Sequence, residues 1–217
     1  MNAKAQTQGF DLSAKCAAVV GCGGLGTNVA VHLAGMGIGR LLLIDDDTVD
    51  LRNLNRQFFY TPADVGKAKC TRLSDRLRAY APDCETAVFR KRICTPDDLS
   101  DVRDADVLIA AVDNAAARSV LNAFCTAERI PLVNGGIHGF FGTAYLYIPG
   151  VSPDLETAGI LETENKSPVS VSSTVGMIGA LQAQLAAEFL RGDTHSAGRL
   201  FVLDDNEIHS ITIRQKG

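Results

Sequence analysis

The stretch from residue 17 to residue 47 constrains the fold more than any other part of the chain. A short apolar run ends at Val20, and a segment with helical spacing leads to a second apolar run that ends at Ile44. Between the first run and the helix lie four glycines: Gly21, Gly23, Gly24 and Gly26. This order is typical of a mononucleotide-binding unit, because phosphate oxygens reach the N–H groups of a helix start only where side chains are small.

Acidic residues follow the second apolar run directly. Asp45, Asp46 and Asp47 stand where a carboxylate accepts hydrogen bonds from a ribose, and Asp45 lies 24 residues after Gly21. The usual separation is about 20 residues. The pattern predicts the fold better than the ligand, since NAD, FAD, S-adenosylmethionine and ATP all bind near such loops.

Composition narrows the class of protein. The 217 residues are 46% hydrophobic and 21% charged, which is typical of one globular domain. The net charge of −4 and the absence of Trp give no basic or stacking surface, so nucleic acid is not an expected partner. The N-terminus lacks the apolar segment of a secretory signal. Together with six scattered cysteines, this predicts a cytoplasmic protein with free thiols and no membrane segment.

Alternating apolar runs and helical segments predict an α/β protein, a Rossmann-like nucleotide-binding fold whose central sheet is mostly parallel and carries a C-terminal antiparallel extension. We expect a single domain over residues 1–217, with a lead-in at 1–15 and a crossover-type loop at 149–172. The expected helices span 29–36, 66–80, 115–127 and 173–190, and the later strands span 106–112, 131–133 and 140–148, before a hairpin around 204–207.

The last predicted helix has small residues at three- and four-residue spacing. Gly176, Ala180, Ala183 and Ala187 would form one smooth face. Such a face packs closely on a sheet or on a second subunit, and both alternatives stay open.

Charged and amide side chains gather at the predicted carboxyl edge of the sheet. Asn53 and Arg56 follow the second strand, Lys69 follows that loop, and Asp113 with Asn114 follows a later strand. A hydride-transfer site needs little of this charge, whereas a triphosphate needs cations on its oxygens and on departing pyrophosphate. Asp113 could hold Mg²⁺, which prefers one or two carboxylates together with phosphate oxygens.

These motifs resemble the ThiF/MoeB/HesA family, relatives of the ubiquitin-activating enzymes. The resemblance is carried by GCGGLG, LIDDDTVDLRNLNRQ, the lysine of VGKAK, AAVDN, PLVNGG and VGMIGALQAQLAAEFL, and covers roughly residues 17 to 205. Its most specific part is NLNRQ downstream of the glycine loop.

The resemblance implies adenylation with ATP and Mg²⁺ of the C-terminal Gly-Gly carboxylate of a ubiquitin-like sulfur-carrier protein, as in thiamine or molybdopterin biosynthesis. It implies that Gly21, Gly23, Gly24 and Gly26 form the nucleotide loop. Asp45 would bind the ribose, with Asp47, Gln57 and Asn114 also at the nucleotide. Asn53, Arg56 and Lys69 would contact the triphosphate, and Asp113 the magnesium. A homodimer is also implied.

Three departures from the family pattern bear on function. The C-x-x-C pairs that hold structural zinc in many relatives are absent, so zinc is not expected. No cysteine follows Cys125, which excludes covalent transfer through a crossover-loop cysteine and predicts a separate sulfur donor. The first arginine is Arg40, so the N-terminal arginine of relatives is missing, with Lys4 or Lys15 as possible substitutes.

Two alternatives to the sulfur carrier remain. The acceptor could be a modified tRNA base or a peptide C-terminus, although the acidic pI of about 5.5 weighs against tRNA. The chain could also be a nucleotide-binding subunit without turnover, which the missing arginine and cysteine would explain. An NAD dehydrogenase fits less well, because it leaves NLNRQ and Lys69 unexplained.

Overall fold

The computed structural model describes residues 11–161, 170–205 and 207–214, and in these ranges the chain builds one eight-stranded sheet flanked by helices. The strands are β1 (Cys16–Val20), β2 (Arg40–Ile44), β3 (Glu85–Phe89), β4 (Val107–Ala110), β5 (Leu132–His138), β6 (Phe141–Tyr147), β7 (Arg199–Asp204) and β8 (Glu207–Thr212). The α-helices are α1 (Gly24–Gly35), α2 (Lys69–Tyr80), α3 (Ala115–Glu128) and α4 (Ser172–Leu190). Short 3₁₀ helices span Leu51–Asn53, Pro62–Asp64 and Pro96–Val102.

The sheet order is β3-β2-β1-β4-β5-β6-β7-β8. Neighbours from β3 to β5 pair in parallel, and neighbours from β5 to β8 pair antiparallel. This confirms the predicted fold class and the C-terminal antiparallel extension. The chain leaves β1 toward β2 on one side and later returns to β4 on the other, so a crevice opens at the carboxyl ends of these strands.

Alternating strand side chains supply two cores, one on each face of the sheet. Val19 and Leu43 point to the face covered by α1, α2 and α4. Val20 and Leu108 point to the other face, where α3 supplies Phe124. Burial on both faces explains why the parallel strands read as continuous apolar runs.

The start of the helix predicted at 66–80 differs most clearly from the structure. Gly66 has a φ of +82° and ends a turn, so α2 begins only at Lys69, and Thr61 with Pro62 begins a separate 3₁₀ helix. Val65, just before Gly66, is 45% exposed. The first helix also differs from its prediction, since α1 begins at Gly24 rather than at residue 29.

Two strand predictions need adjustment. The strand expected at 106–112 shortens to Val107–Ala110, because the chain turns away from the sheet after the Ala111 amide donates to the Val20 carbonyl. The strand expected at 131–133 extends to His138, since it pairs with β6 along its length. The C-terminal hairpin is confirmed by the antiparallel register of β7 and β8.

Helix α4 packs on α1, β5 and β6, although its close-contact glycine is not the predicted one. A Cβ on Gly179 would lie 2.6 Å from Asn28 Cβ, whereas a Cβ on Gly176 would meet nothing within 4 Å. Of the predicted small residues, Ala183 and Ala187 are buried. The observed packing of α4 within the chain therefore follows the sheet-packing alternative.

Some expectations reach beyond the described residues. Residues 1–10 of the expected lead-in and residues 162–169 of the expected crossover loop lie outside them. Leu12, in the described part of the lead-in, is buried, and its carbonyl accepts from the Gly39 amide. Among the described helices, none combines the length and apolar character that crossing a bilayer requires.

Candidate active site

A cavity of about 1060 Å³ opens at the carboxyl ends of the central strands, where the sequence placed the site. Its wall includes the glycine loop, the end of β2, the loop after it, the segment after β4 and the carboxyl half of β5. Ten of the twelve predicted site residues line it: Gly21, Gly23, Gly24, Asp45, Asp47, Arg56, Gln57, Lys69, Asp113 and Asn114. The other two, Gly26 and Asn53, do not line the cavity themselves.

The glycine loop is shaped by close backbone contacts. Gly21 has a φ of +95°, and a Cβ there would lie 2.4 Å from the Ala111 carbonyl oxygen. A Cβ on Gly26 would lie 1.8 Å from the Gly21 carbonyl oxygen. Gly26 therefore allows α1 to begin directly against the loop, and the N–H groups of that helix start are open to an anion in the cavity.

Asp45 is fixed by backbone amides at the edge of the cavity. One carboxylate oxygen accepts from the Cys22 N–H, and the other accepts from the Asp47 N–H at 2.8 Å. Burial raises the pKa of Asp45, while these two amide hydrogen bonds oppose that rise. Both oxygens keep further acceptor capacity, which suits the two hydroxyls of a ribose.

Arg56 is oriented by its own loop. Its Nη1 donates to Asn55 Oδ1 at 3.1 Å, and its Nη2 donates to Asn53 Oδ1 at 3.2 Å. Within ranges 11–161, 170–205 and 207–214, no carboxylate pairs with this guanidinium. Asn53 therefore belongs to the site through Arg56, whose charge is left for an anion in the cavity.

Gln57 is almost fully buried beneath the glycine loop. Its Nε2 lies 3.4 Å from the position that a Cβ on Gly23 would occupy. Its Oε1 has no hydrogen-bond partner among the described atoms. Gln57 therefore packs against the glycine loop at Gly23.

Lys69 begins α2 with its side chain buried in the cavity wall. Its Nζ donates to Asp47 Oδ2 at 2.8 Å, so the predicted cation and one predicted acid are paired with each other. Sequence spacing placed both at the site without indicating this pair.

Asp113 and Asn114, neighbours after β4, have different roles in the structure. Asn114 Oδ1 accepts the Ala117 N–H at 2.8 Å and so caps α3, which is a common role for Asn before a helix. Asp113 is exposed to the cavity, and among the described residues its carboxylate has no hydrogen-bond or ion-pair partner. Asp113 thus offers the cavity a carboxylate that has no partner among the described residues.

The other carboxylates near the cavity are already engaged. Asp45, Asp46 and Asp47 place oxygens within 4.8 Å of one another. Yet Asp45 accepts backbone amides, Asp46 pairs with Arg92 at 2.9 Å, and Asp47 pairs with Lys69. A hard divalent cation such as Mg²⁺ therefore fits best at Asp113, which leaves room for phosphate oxygens and water.

The sequence did not single out three cations that line the cavity. Lys91 and Arg92 follow β3, whose carboxyl end reaches the same edge. Arg118 is buried in the first turn of α3, and its Nη2 donates to the Val112 carbonyl at 2.8 Å and to the Gly135 carbonyl at 3.3 Å. Proximity to predicted strand ends was the signal that could have identified them.

Fold and site together define an α/β protein of the nucleotide-binding type, whose cavity combines a glycine loop, an aspartate held by backbone amides and several cations. The chain belongs to the ThiF family, whose model matches residues 5–216. This confirms the resemblance seen in the motifs.

Similar proteins are adenylyltransferases or activating enzymes by name. The chain is 34% identical over 207 residues to the sulfur carrier protein ThiS adenylyltransferase of Escherichia coli K12, covering 91% of this chain and 81% of that protein. It is 32% identical over 211 residues to the SAMP-activating enzyme E1 of Haloferax volcanii, covering 90% and 74%. The crystal structure of E. coli MccB with ATP superposes with a TM-score of 0.85 at 25% identity, over 94% of this chain and 65% of that chain.

Proposed function

We propose that the protein is an ATP-dependent adenylyltransferase that activates the C-terminal glycine carboxylate of a ubiquitin-like sulfur-carrier protein. The observation that carries the proposal is the convergence of Arg56, Lys69 and Asp113 in one cavity with the glycine loop and Asp45. ATP as substrate is also supported by the likeness to MccB, which was solved with ATP.

The proposed reaction needs charge stabilisation more than proton transfer. The carrier carboxylate attacks the α-phosphorus of ATP, a carboxylate O–P bond forms, and the bond to pyrophosphate breaks with its electron pair leaving on pyrophosphate. An ionised carboxylate needs no general base. Arg56 and Lys69 would neutralise the phosphate oxygens, and Asp45 would hold the ribose so that the α-phosphorus is correctly placed.

The cavity also suits a magnesium ion. Asp113 would hold it, with the remaining positions taken by phosphate oxygens and water. When bound, Mg²⁺ supplies positive charge that lowers the cost of charge building up on pyrophosphate. Gln57 and Asn114 would serve the nucleotide indirectly, the first by packing under the glycine loop and the second by starting α3 beside Asp113.

The relatives' names support a carrier protein as the acceptor. One relative is named as the adenylyltransferase of the sulfur carrier ThiS and another for activating SAMP. The proposed partner is such a carrier, and the family resemblance of the motifs implies that it ends in Gly-Gly. Because no cysteine follows Cys125 in the sequence, a separate protein would deliver sulfur to the adenylate. A homodimer in the cytoplasm completes the proposal, and the mass of the protein in solution tests the dimer.

Carrier-dependent exchange of labelled pyrophosphate into ATP tests the proposal. Wild-type protein should catalyse exchange with a small carrier that ends in Gly-Gly, and removal of the last glycine should abolish it. Arg56→Ala should lower the rate at least 100-fold, whereas Arg52→Ala, which changes an exposed arginine of the same loop, should leave it within about twofold. Absence of exchange with ThiS-like, SAMP-like and molybdopterin-type carriers would rule the proposal out.

A second candidate changes the acceptor and keeps the chemistry. The MccB structures at 25% identity include one with AMPCPP and MccA, so a peptide acceptor is favoured by a fold likeness of TM-score 0.85. Peptide-dependent exchange without carrier-dependent exchange would select it. Exchange stimulated by tRNA would select a tRNA base, and tight ATP binding without turnover would indicate a nucleotide-binding subunit.

A further inference from the structure

The ion pair between Lys69 and Asp47 is asymmetric in its exposure to solvent. The Lys69 side chain is 5% exposed and the Asp47 side chain is 60% exposed, although their charged atoms lie 2.8 Å apart. The ammonium is therefore held in the protein wall, with the carboxylate on its solvent side. Removing a buried ammonium from water is costly unless a partner compensates its charge.

The two residues are also joined through the backbone. The Lys69 amide donates to the Asp47 carbonyl at 3.0 Å, and the Val49 amide donates to the Lys67 carbonyl at 2.8 Å. A bridge between Thr48 and Ala68 lies between these bonds. This short ladder fixes the start of α2 against the segment that follows β2, and that segment carries Asp47.

Neighbouring aspartates cannot take over this role. Asp45 directs its oxygens to the Cys22 and Asp47 amides, and Asp46 pairs with Arg92. In the part of the chain that the structure describes, Asp47 is the carboxylate paired with the Lys69 ammonium.

From this geometry we propose that Asp47 is a positioning residue for Lys69 and not a ligand of the nucleotide. The inference rests on the proposed function. Asp47 pairs with the buried ammonium and orients it before ATP enters. An ammonium has three N–H donors, so Lys69 can keep its bond to Asp47 while it donates to a phosphate oxygen. Loss of Asp47 would therefore act through Lys69 alone.

A double-mutant cycle tests the coupling. Wild type, Asp47→Asn, Lys69→Met and the double variant are compared by carrier-dependent pyrophosphate exchange and by calorimetric titration with ATP and Mg²⁺. Asp47→Asn should lower the exchange rate about tenfold or more. In the Lys69→Met background the same change should have no further effect. Asp75→Asn, which removes an ion-pair partner of Arg72 on α2, serves as the matched control and should behave as wild type.

Several outcomes would overturn the inference. An Asp47→Asn protein as active as wild type would do so, and so would an Asp47→Asn effect of equal size in the Lys69→Met background, because Asp47 would then act directly on nucleotide or metal. Thermal unfolding of each variant separates these results from loss of fold. A wild-type protein that binds ATP but shows no exchange fails the proposed function, while the ATP titrations of the four proteins still decide the coupling.

Discussion

The Tyr60 hydroxyl donates a hydrogen bond of 2.7 Å to the Cys22 carbonyl, which ties the loop after β2 to the glycine loop. The same hydroxyl lies 3.2 Å from the Lys69 carbonyl, at the start of α2. Tyr60 is buried. Burial is the main cause that raises the pKa of Tyr60, and the nearby Cys22 and Asp45 raise it further. The neutral hydroxyl thus joins three segments that carry predicted nucleotide-binding residues.

Tyr60→Phe should loosen the glycine loop without leaving a large cavity. The variant leaves the buried Cys22 carbonyl without this donor, which should cost about 1–3 kcal/mol of unfolding free energy. The dissociation constant for ATP should rise several-fold. Chemical denaturation and calorimetry measure the two effects. Tyr80→Phe, at an exposed tyrosine, is the control, and equal effects of both substitutions would contradict the assignment.

The charged groups around Asp64 lead us to predict that the free energy of unfolding depends on pH. Burial alone would raise the pKa of Asp64, but the Thr61 amide and the guanidinium groups of Arg76 and Arg72 outweigh burial and lower it. A carboxylate with a depressed pKa stabilises the fold above its ordinary pKa of about 4, and the stabilisation fades as pH falls toward the folded-state pKa.

Asp64→Asn should therefore destabilise the protein by about 2 kcal/mol at pH 7. The difference from wild type should shrink as the pH is lowered below about 4. Urea unfolding over a range of pH measures it, with Asp97→Asn, at an exposed residue of the 3₁₀ helix Pro96–Val102, as the control. A destabilisation independent of pH would contradict the charged network.

Gly24 and Gly176 form a matched pair of helical glycines with opposite surroundings. A Cβ on Gly24 would lie 2.6 Å from Val175 Cγ1 and 3.0 Å from the Arg56 carbonyl oxygen. Gly24→Ala should cost about 1–3 kcal/mol of stability and weaken ATP binding by displacing the Arg56 loop. Gly176→Ala meets nothing within 4 Å and should stabilise the protein by up to about 1 kcal/mol. Thermal unfolding ranks the two, and the reverse order would refute the packing argument.

Asp113→Asn should remove the response of ATP binding to magnesium. Wild type should bind ATP more tightly with Mg²⁺ than with EDTA, because the Asp113 carboxylate has the free coordination capacity in the cavity. The variant should bind ATP equally in both conditions. Calorimetry measures this directly. If ATP binding by the variant still responded to magnesium, the assignment of the metal site to Asp113 would be wrong.

Local sequence patterns were enough to predict the parts of the site that depend on local structure. Gly21, Gly26 and Asp45 belong to one strand–loop–helix–strand unit. The backbone conformation of this unit depends on residues that are close together in the sequence. The same holds for Asp113, which directly follows a recognisable buried strand. Parallel strands place their carboxyl ends at one edge, so these side chains meet in space.

The same local patterns could not predict contacts between residues that are far apart in the sequence. Charge spacing does not say that Lys69 pairs with Asp47, because both also fit as separate ligands. The helix start was predicted wrongly at Gly66 because the spacing of apolar residues does not show where the chain turns, and the structure places a separate 3₁₀ helix at Pro62–Asp64 before α2. Gly179 was overlooked because helical spacing alone cannot tell which small residue faces α1.

The most direct test of adenylation follows a single oxygen atom. A Gly-Gly carrier with ¹⁸O at both oxygens of its terminal carboxylate is incubated with the protein, ATP, Mg²⁺ and hydroxylamine. The mass of the AMP that forms is then measured by mass spectrometry. Attack of the carboxylate on the α-phosphorus followed by cleavage at the acyl carbon leaves one carboxylate oxygen on AMP. The account predicts AMP with one ¹⁸O. Unlabelled AMP, or ADP with phosphate as the products, would contradict it.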